Sequence, residues 1–297
     1  MKVAVTGAKG LVGRSVVKNL IKSGYDVLSL THSKWKGCPT EQKIIDIRNY
    51  EEVFNAIKGC DAVIHLAAIP QPDKKDNNPR VFENNVVGLY NILLSSGIQG
   101  IKKVAIASSD CALGITFAHN PVVPLYLPVD EEHPASPDNS YGISKIVGEQ
   151  IAHSFAHRFP DMTISSLRIT YVADVKKVKN DISFAQEEEV DQYVWNLWSY
   201  IDKEDCARAF RLAIEADFKG HEVFYIAAPN TRCLTPSMEL INKFMPKAEV
   251  RENFMDHESF ESTEKAERML GFKAKNIWRV NINQEQKEAG VEKILGY

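Results

Sequence analysis

The chain has 297 residues and a formal net charge of −3, with 44% hydrophobic and 25% charged residues. This composition is typical of a globular protein, and the length suits one large α/β domain or a main domain with a small second lobe. No basic stripe interleaved with aromatic residues is visible, so we expect no nucleic-acid partner. The longest strongly apolar run, "AVIHLAAI", is too short to cross a bilayer, which predicts no membrane partner.

The first residues, "MKVAVTG", read as a strand at once and leave no room for a signal peptide. Five scattered cysteines fit neither a disulfide framework nor a zinc site. His153 and His157 are four residues apart, but no third ligand is suggested, so we predict no metal site. We therefore expect a cytoplasmic protein that acts on a small-molecule substrate.

Short apolar runs alternate with amphipathic stretches over the first two thirds of the chain. The runs predict strands at "KVAVTG", "DVLSLT", "KIIDI", "DAVIHLAA", "KKVAIAS" and "TISSLRI". The amphipathic stretches predict helices over Leu11 to Lys22, Tyr50 to Lys58, Pro79 to Ser95 and Tyr141 to Phe159. Strands this rich in Val, Ile and Ala are typical of a parallel sheet buried on both faces. The alternation predicts an α/β fold with a doubly wound parallel sheet.

The pattern changes after about residue 172. We predict one helix over "NLWSYIDKEDCARAFRLAIEA", capped near Asp202 or Asp205, and a mostly helical tail from Thr235. A smaller lobe is expected around the strand "HEVFYIA", with Trp195 and Trp198 packing it. The predicted division is a main domain over residues 1–170 and a lobe mainly over residues 171–297, with some chain returning to the main domain.

A glycine-rich loop joins the first strand to the first helix. "TGAKGLVGR" places the three glycines so that one allows a tight turn, one lets the backbone approach a pyrophosphate and one allows close packing of helix on strand. The loop predicts dinucleotide binding by Gly7, Gly10, Leu11, Val12 and Gly13.

The end of the second strand bears on the choice of cofactor. An NAD site carries a carboxylate there for the ribose 2′-hydroxyl, but Thr31, His32, Ser33 and Lys34 stand in its place. Small hydroxyls and cations suit a 2′-phosphate, so we predict NADP, with NAD as the alternative. Asp46 comes after the third predicted strand, too far along the chain for its carboxylate to reach the ribose. We place it, with Ile47, at the adenine edge of the cofactor.

"SYGISKIVGEQ" places Tyr141 and Lys145 four residues apart, on one face of a predicted helix. A tyrosine phenol is a poor acid–base catalyst at neutral pH, because its ordinary pKa is near 10. A neighbouring ammonium and a positive nicotinamide would favour the phenolate and move that pKa toward the working range. The pair is therefore a candidate acid–base group.

Together these motifs resemble the extended short-chain dehydrogenase/reductases, in the branch of NAD(P)-dependent sugar epimerases and dehydratases. The resemblance runs from "TGAKGLVG" through "CDAVIHLAA", "ENNVVGLYNIL", "ASSDCALG" and "YGISKIVGEQ" to "WSYIDKEDCARAF". It implies a Rossmann domain, a C-terminal substrate lobe, and a homodimer formed through the helices at Pro79–Ser95 and Tyr141–Phe159.

By motif match, the resemblance implies that Ser109 holds the substrate oxygen, Tyr141 is the acid–base group, and Lys145 binds the nicotinamide ribose. It adds cofactor-binding positions at the strand ends and on the helix after the fourth strand, namely Leu66, Ala67, Ala68, Asn85, Ala107 and Ile169. Substrate contacts are expected from Ser108, Asp110, Cys111 and Thr170.

The chain departs from the family pattern at three places. Cys111 stands where dehydratases carry a glutamate base, which disfavours dehydration, and Leu113 replaces the usual tyrosine. "TYVADVKK" replaces the usual segment after "SLRI". Arg168, Arg208 and Arg232 are the candidate clamps for a nucleotide diphosphate, and a smaller substrate such as a free sugar, a uronate or a hydroxy-carbonyl compound also fits. A dehydrogenase or reductase is favoured, with an epimerase or a non-catalytic dinucleotide-binding regulator as alternatives.

Overall fold

The computed structural model describes residues 1–72, 79–120, 122–178 and 196–278. Its strands are β1 (Lys2–Thr6), β2 (Asp26–Thr31), β3 (Glu41–Ile44), β4 (Ala62–His65), β5 (Lys103–Ser109), β6 (Tyr126–Leu127), β7 (Thr163–Ile169), β8 (Tyr171–Ala173), β9 (Tyr200–Asp202), β10 (Gly220–Ile226) and β11 (Glu249–Val250). Its helices are α1 (Leu11–Lys22), α2 (Tyr50–Ala56), α3 (Arg80–Ile98), α4 (Ser140–Arg158), α5 (Val175–Val178), α6 (Lys203–Glu215), α7 (Ser237–Phe244) and α8 (Glu264–Leu270). A short 3₁₀ turn, Asp110–Leu113, follows β5.

Seven strands form one parallel sheet in the order β10-β7-β5-β4-β1-β2-β3. The strand order reverses at β1, because the chain proceeds to β2 and β3 on one side and then returns to β4 and β5 on the other. Ligands of such sheets bind at the carboxyl ends of the strands around this reversal. The predicted doubly wound parallel sheet is confirmed.

Helices cover both faces of the sheet. Val17 of α1 and Phe210 of α6 belong to the core on one face, while Leu93 of α3 and Phe155 of α4 belong to the core on the other. The buried residues of α1 recur three to four positions apart, which is the spacing that turns one helical face toward a core. This packing fixes where each helix begins relative to the strand ends.

Several predicted bounds are confirmed to the residue, including α1, β2 and β7. The strand predicted at "KIIDI" instead spans Glu41–Ile44. Its register sets Ile44 opposite Thr31, the last residue of β2, and Asp46 already lies in the turn that leads to α2. Side-chain pattern alone does not reveal this register.

One continuous helix over "NLWSYIDKEDCARAFRLAIEA" is wrong. Tyr200–Asp202 forms β9, which pairs in parallel with β8, and α6 begins only after it. The predicted cap at Asp202 is confirmed, since its side chain accepts a hydrogen bond from Glu204 N at 2.8 Å. The strand forms by pairing with β8, which lies some 29 residues earlier in the chain. A local sequence pattern does not reveal a partner at that separation.

The strand "HEVFYIA" does not organise a separate lobe: as β10 it is the outer strand of the main sheet, paired with β7. From Thr235 to residue 278 the chain holds only two short helices, α7 and α8, so a mostly helical tail is wrong over this stretch. Phe254 and Phe260 pack from irregular segments instead. The tail beyond residue 278 lies outside the described residues.

A third hydrophobic cluster includes Tyr225 of β10 and residues from the segments outside the main sheet. Trp198 packs in it, with its ring centroid 5.5 Å from that of Phe244 and 5.9 Å from that of Phe260. The packing role predicted for Trp198 is confirmed, while Trp195 lies outside the described residues. The domain division at residue 170 stays a prediction. Among the described helices, none is long and apolar enough to cross a membrane.

Candidate functional site

The glycine loop packs against the neighbouring strand end too closely for side chains. Gly7 has a φ of +65°, and a Cβ there would lie 2.8 Å from Ala67 N. A Cβ on Gly13 would lie 2.2 Å from Gly7 O. Glycine is therefore required at both positions, and the loop leaves its backbone exposed at the start of α1. Such a cradle fits a dinucleotide pyrophosphate.

A lysine of this loop reaches the end of β2. Lys9 Nζ donates to Ser33 Oγ at 3.0 Å and to the Lys34 carbonyl at 3.2 Å. Gln42 Nε2 in turn donates to Thr31 Oγ1 at 2.6 Å and holds the segment against β3. The strand end is thus polar and cationic.

The residues expected at the adenine edge also lie on the cavity wall. Asp46 pairs with Arg48, whose Nη2 is 2.6 Å from Asp46 Oδ2, and this contact lowers the pKa of the carboxyl. Ile47 borders the same recess. The aspartate is therefore an ionised acceptor at this end of the cavity.

A threonine–histidine pair fixes the backbone after β4. Thr6 Oγ1 accepts hydrogen bonds from Leu66 N and Ala67 N, both at 3.1 Å, and lies 2.8 Å from His65 Nδ1. Burial lowers the pKa of His65 to about 3, so the ring is neutral. His65 is therefore a structural group that helps to hold the backbone after β4.

Ser109 ends β5 and caps the 3₁₀ turn that follows. Its Oγ accepts a hydrogen bond from Cys111 N at 3.2 Å and donates to Asp110 Oδ1 at 2.9 Å. Burial raises the pKa of Asp110, and burial with the nearby Asp110 carboxylate raises the pKa of the Cys111 thiol. Cys111 therefore keeps its proton and cannot stand in for a carboxylate base.

Tyr141 lies in the first turn of α4, which packs directly on that 3₁₀ turn. Asn139 caps the helix by accepting from Gly142 N at 2.9 Å, and a Cβ on Gly142 would lie 2.6 Å from the Cys111 carbonyl. Burial raises the pKa of Tyr141, and a hydrogen bond with Ser109 opposes that rise. In the surroundings that the chain itself provides, burial outweighs this hydrogen bond and keeps the Tyr141 pKa above that of a free phenol, while the lowering expected from a bound nicotinamide stays a prediction.

Lys145 follows one helical turn later. Its Nζ donates to the Ala107 carbonyl at 2.7 Å and lies 5.3 Å from the centroid of the Tyr141 ring. Burial lowers the pKa of Lys145 to about 8. The ammonium thus sits against the strand that carries Ser109.

Asn85 on α3 joins three parts of the site. It exchanges hydrogen bonds with the Ile69 backbone at 2.8 and 3.1 Å, and its Nδ2 lies 3.1 Å from Ser144 Oγ on α4. The segment after β4 is thereby fastened to the helix that carries Tyr141. Asn85 supports the site without facing the large cavity.

Glu149, a further turn along α4, ties this helix to the sheet. Arg168 Nη2 and Nε donate to its carboxylate at 2.8 and 3.0 Å, and Ser108 Oγ donates at 2.5 Å. All three side chains are buried. Arg168 is therefore a structural cation, and its expected place in a diphosphate clamp is wrong.

A cavity of about 1430 Å³ runs from the glycine loop to the end of β7. Most expected site residues line it, namely Gly7, Gly10, Leu11, Val12, Gly13, Thr31, His32, Asp46, Ile47, Leu66, Ala67, Ala68, Ser109, Asp110, Cys111, Tyr141, Ile169 and Thr170. Four others line a small adjoining recess, namely Asn85, Ala107, Ser108 and Lys145. Ser33 and Lys34 line neither and contact the site through Lys9.

Several lining residues were not expected from the sequence. Lys9 lies inside the glycine motif, so a cation at the cofactor cavity could have been predicted from the sequence. Thr116, Phe117, Tyr171 and Asn196 come from irregular segments or short strands, where no motif marks them. Within the described residues, no three His, Cys, Asp or Glu side chains are placed to hold a metal ion.

Comparison with known proteins identifies the family. The family model for the NAD dependent epimerase/dehydratase family matches residues 3–227. An L-arabinose 1-dehydrogenase (NAD(P)(+)) from Haloferax volcanii is 32% identical over 220 residues, which cover 72% of this chain and 83% of that enzyme. An NAD-dependent glucose-6-phosphate dehydrogenase from the same organism is 29% identical over 242 residues, covering 77% and 86%.

The fold also occurs among solved structures. A short-chain dehydrogenase/reductase superfamily protein from Agrobacterium tumefaciens, solved with bound NAD, superposes with a TM-score of 0.70 at 20% identity, covering 100% of this chain and 98% of that chain. The protein is accordingly an enzyme with a short-chain dehydrogenase/reductase fold, and it belongs to the NAD-dependent epimerase/dehydratase family.

Proposed function

We propose that this protein is an NAD(P)-dependent oxidoreductase that transfers hydride to or from a sugar or related hydroxyl or carbonyl substrate. The observation that carries the proposal is the placement of Ser109 and Tyr141 in the cavity that also contains the glycine loop. The site residues fit the cofactor, because the cradle at Gly7 and Gly13 excludes side chains where a pyrophosphate needs backbone N–H groups.

When bound, the nicotinamide supplies or accepts the hydride. The chain's own residues handle the proton: Tyr141 gives it to a carbonyl oxygen in reduction or takes it from a hydroxyl in oxidation, while Ser109 holds that oxygen. The raised pKa of Tyr141 keeps the phenol protonated, so its proton is present for reduction, but the same rise makes the phenol a weaker acid. Its use as a base needs positive charge nearby, to which Lys145 contributes.

Dehydration fits this site poorly. It needs a base beside Ser109 to remove a proton from carbon, and Cys111 in that position has a pKa raised by burial and by Asp110. The chemistry of these side chains supports hydride transfer without elimination.

An epimerase is the second candidate, because the same residues could remove and return one hydride. The two are distinguished by net cofactor turnover, since an epimerase returns its cofactor unchanged. A steady absorbance change of NADPH or NADH with a panel of sugars and carbonyl compounds is expected. Racemising or epimerising activity without that change would favour the epimerase. A regulator that binds dinucleotide without turnover has no need of Tyr141 and Lys145.

We favour NADP over NAD as the cofactor. Lys9 lies 3.0 Å from Ser33 at the end of β2, where an NAD site carries a carboxylate. A 2′-phosphate would be attracted by the ammonium. Fluorescence titration with NADPH and NADH tests this preference, and tight NADH binding without a response to NADPH would overturn it.

We also infer a homodimer in the cytoplasm. Val87 and Tyr90 leave apolar surface exposed on α3 beside α4, which is consistent with the helix pairing that the family resemblance implies. Five free cysteines suit a reducing compartment. Analytical ultracentrifugation tests the dimer, and a charge placed at Val87 should weaken it.

A further inference from the structure

An aspartate carboxyl lies against the serine to which we assign the substrate oxygen. Ser109 Oγ is 2.9 Å from Asp110 Oδ1, and Cys111 N donates to the same Oγ at 3.2 Å. The Cys111 thiol is 3.5 Å from that carboxyl oxygen as well. Ser109 and Asp110 both line the large cavity, so a substrate bound there meets the two side chains together.

The hydrogen bonds of Ser109 can be counted. A serine hydroxyl has one proton to donate and two lone pairs that accept, and Cys111 N occupies one lone pair. An ionised carboxylate only accepts, so its contact with Asp110 takes the single proton of Ser109. The remaining lone pair is open to a hydroxyl, either that of Tyr141, with which Ser109 forms a hydrogen bond, or that of a substrate.

The protonation state of Asp110 therefore decides what Ser109 offers to a substrate oxygen. A carbonyl oxygen only accepts, so it needs the serine proton, which an ionised Asp110 withholds. A protonated Asp110 reverses the contact, because its own O–H donates to Ser109 Oγ and the serine proton is free to point into the cavity. An alcohol hydroxyl, in contrast, can donate to Ser109 while the carboxylate holds the serine proton.

The surroundings favour the protonated form of Asp110. Burial raises the pKa of its carboxyl, although hydrogen bonds within the 3₁₀ turn oppose this rise. Four titratable groups interact with it electrostatically, namely Cys111 in the same turn, Tyr141 on α4, Tyr225 on β10 and Glu261 in the segment before α8. All four are acids, so a charge on any of them would favour the neutral carboxyl further.

We propose that Asp110 is a positioning residue that sets the direction of the Ser109 hydrogen bond: protonated Asp110 turns the serine proton toward a substrate carbonyl, whereas ionised Asp110 keeps Ser109 as an acceptor for a substrate hydroxyl. The inference rests on the proposed function, because it assigns a further role within the same site. Asp110 acts through Ser109 and needs no contact of its own with the substrate. Carbonyl binding is therefore favoured at lower pH and hydroxyl binding at higher pH.

The protonation of Asp110 can be measured without turnover. Carbon-13 NMR is recorded on the protein–NADPH complex with its aspartates labelled at the carboxyl carbon. Asp110→Asn removes the Asp110 resonance, and Ser109→Ala should shift it, which gives a second assignment. We expect a titration midpoint above the ordinary aspartate pKa of about 3.9. A midpoint at or below that value would overturn the proposal, because Asp110 would then stay ionised near neutral pH.

The pH dependence of reduction tests the effect on the substrate. Wild-type protein with saturating NADPH is assayed with dihydroxyacetone. We expect kcat/KM to fall roughly 3- to 10-fold as pH rises through the NMR midpoint of Asp110, the effect of losing one neutral hydrogen bond. The Tyr141 phenol keeps its proton over this range, because burial raises its pKa. Asp110→Asn has no proton to lose and should remove this fall, and a fall equal to that of wild type would overturn the proposal.

Glycerol differs from dihydroxyacetone only at the central carbon, where a hydroxyl replaces the carbonyl. As a competitive inhibitor in the presence of NADPH, it should bind more tightly to wild type as pH rises through the same midpoint, which is the opposite direction from dihydroxyacetone. Its inhibition constant should not change through that midpoint in Asp110→Asn. Weaker glycerol inhibition of wild type at higher pH would contradict the proposal, since a merely structural role gives no opposite trends.

Asp130→Asn is the matched control. Asp130 also accepts from a hydroxyl and a backbone amide, namely Tyr126 Oη at 2.6 Å and Glu132 N at 3.1 Å, but it does not line the cavity. This variant should keep both pH trends of the wild type. Loss of the trends in Asp130→Asn as well as in Asp110→Asn would show that they do not come from the contact with Ser109.

A binding measurement separates this inference from the proposed function. Calorimetry follows dihydroxyacetone binding to the protein–NADPH complex of wild type and Asp110→Asn across the same pH range. Binding that weakens through the Asp110 midpoint in wild type alone, without turnover, would retain the role of Asp110 and remove the oxidoreductase. Turnover with the same pH profile in both proteins would retain the oxidoreductase and remove the role of Asp110.

Discussion

Glu149 and Arg168 form a buried bidentate ion pair, with Arg168 Nη2 2.8 Å from Glu149 Oε2 and Nε 3.0 Å from Oε1. The pair joins α4, which carries Tyr141 and Lys145, to β7, which is the neighbour of the strand that ends at Ser109. Ser108 donates to the same carboxylate. The position of the helix that carries Tyr141 relative to the strand that ends at Ser109 is therefore held by a buried ion pair outside the large cavity.

Breaking this pair should destabilise the protein strongly. Glu149→Gln leaves a buried guanidinium without its charge partner, and we expect the free energy of unfolding to fall by about 3–5 kcal/mol. Urea denaturation measures the change. The control is Asp161→Asn, which weakens the exposed pairs of Asp161 with Lys102 and Lys219 and should lower the free energy of unfolding only slightly. Equal small losses in both variants would contradict a structural role for Glu149.

The Lys9 contact should govern the choice between cofactors. Lys9→Ala removes the ammonium beside Ser33, and we expect the Kd for NADPH to rise roughly 10-fold or more while the Kd for NADH stays nearly constant. The control is Lys18→Ala, because Lys18 is exposed on α1, the helix that follows the loop. This substitution should alter neither Kd. Equal weakening of both cofactors by Lys9→Ala would show that Lys9 does not read the 2′ position.

A buried glutamate should make stability depend on pH. Burial, reinforced by the nearby Asp110 carboxylate, raises the pKa of Glu261 from 4.5 to about 8, while Ser199 and Ser259 donate hydrogen bonds to it. The folded protein therefore holds a proton that the unfolded chain has released above pH 4.5. The contribution of Glu261 is fully present below pH 4.5 and is lost as pH rises toward 8.

Glu261→Gln removes this titration, so its unfolding free energy should fall less than that of wild type between pH 5 and pH 8. We expect the difference to be about 3–4 kcal/mol, measured by urea denaturation at both pH values. Glu249→Gln, at an exposed position, should follow the wild-type decline. Parallel declines in wild type and Glu261→Gln would contradict the raised pKa.

The sheet and the central motifs of the site could be predicted because their signals are local. The glycine loop, Ser109 and the Tyr141–Lys145 helix each lie within a few residues of a strand or helix boundary, and parallel strands bring their carboxyl ends together. Tyr141 and Lys145 share a helical face through spacing alone. These parts of the site follow from short stretches of sequence.

The remaining features depend on contacts between distant residues. β9 forms only because Tyr171–Ala173 lies beside it, and β10 completes the main sheet because β7 offers a free edge. The structural role of Arg168 depends on its ion pair with Glu149, which lies 19 residues earlier in the chain, on α4. Likewise, the environment of Tyr141 is set by burial, and the sequence alone did not indicate that its pKa rises.

The most direct test of the proposed chemistry measures both kcat and the Kd for NADPH in the Tyr141→Phe variant. Removing the phenol should lower kcat by about 10²–10⁴-fold, the usual contribution of a positioned acid–base group, while NADPH binding changes less than about 2-fold. Tyr126→Phe is the matched control, because Tyr126 is also 7% exposed but donates to Asp130 and does not line the cavity. Lost turnover with retained cofactor binding in Tyr141→Phe alone is the predicted result, and undiminished turnover in that variant would contradict the mechanism.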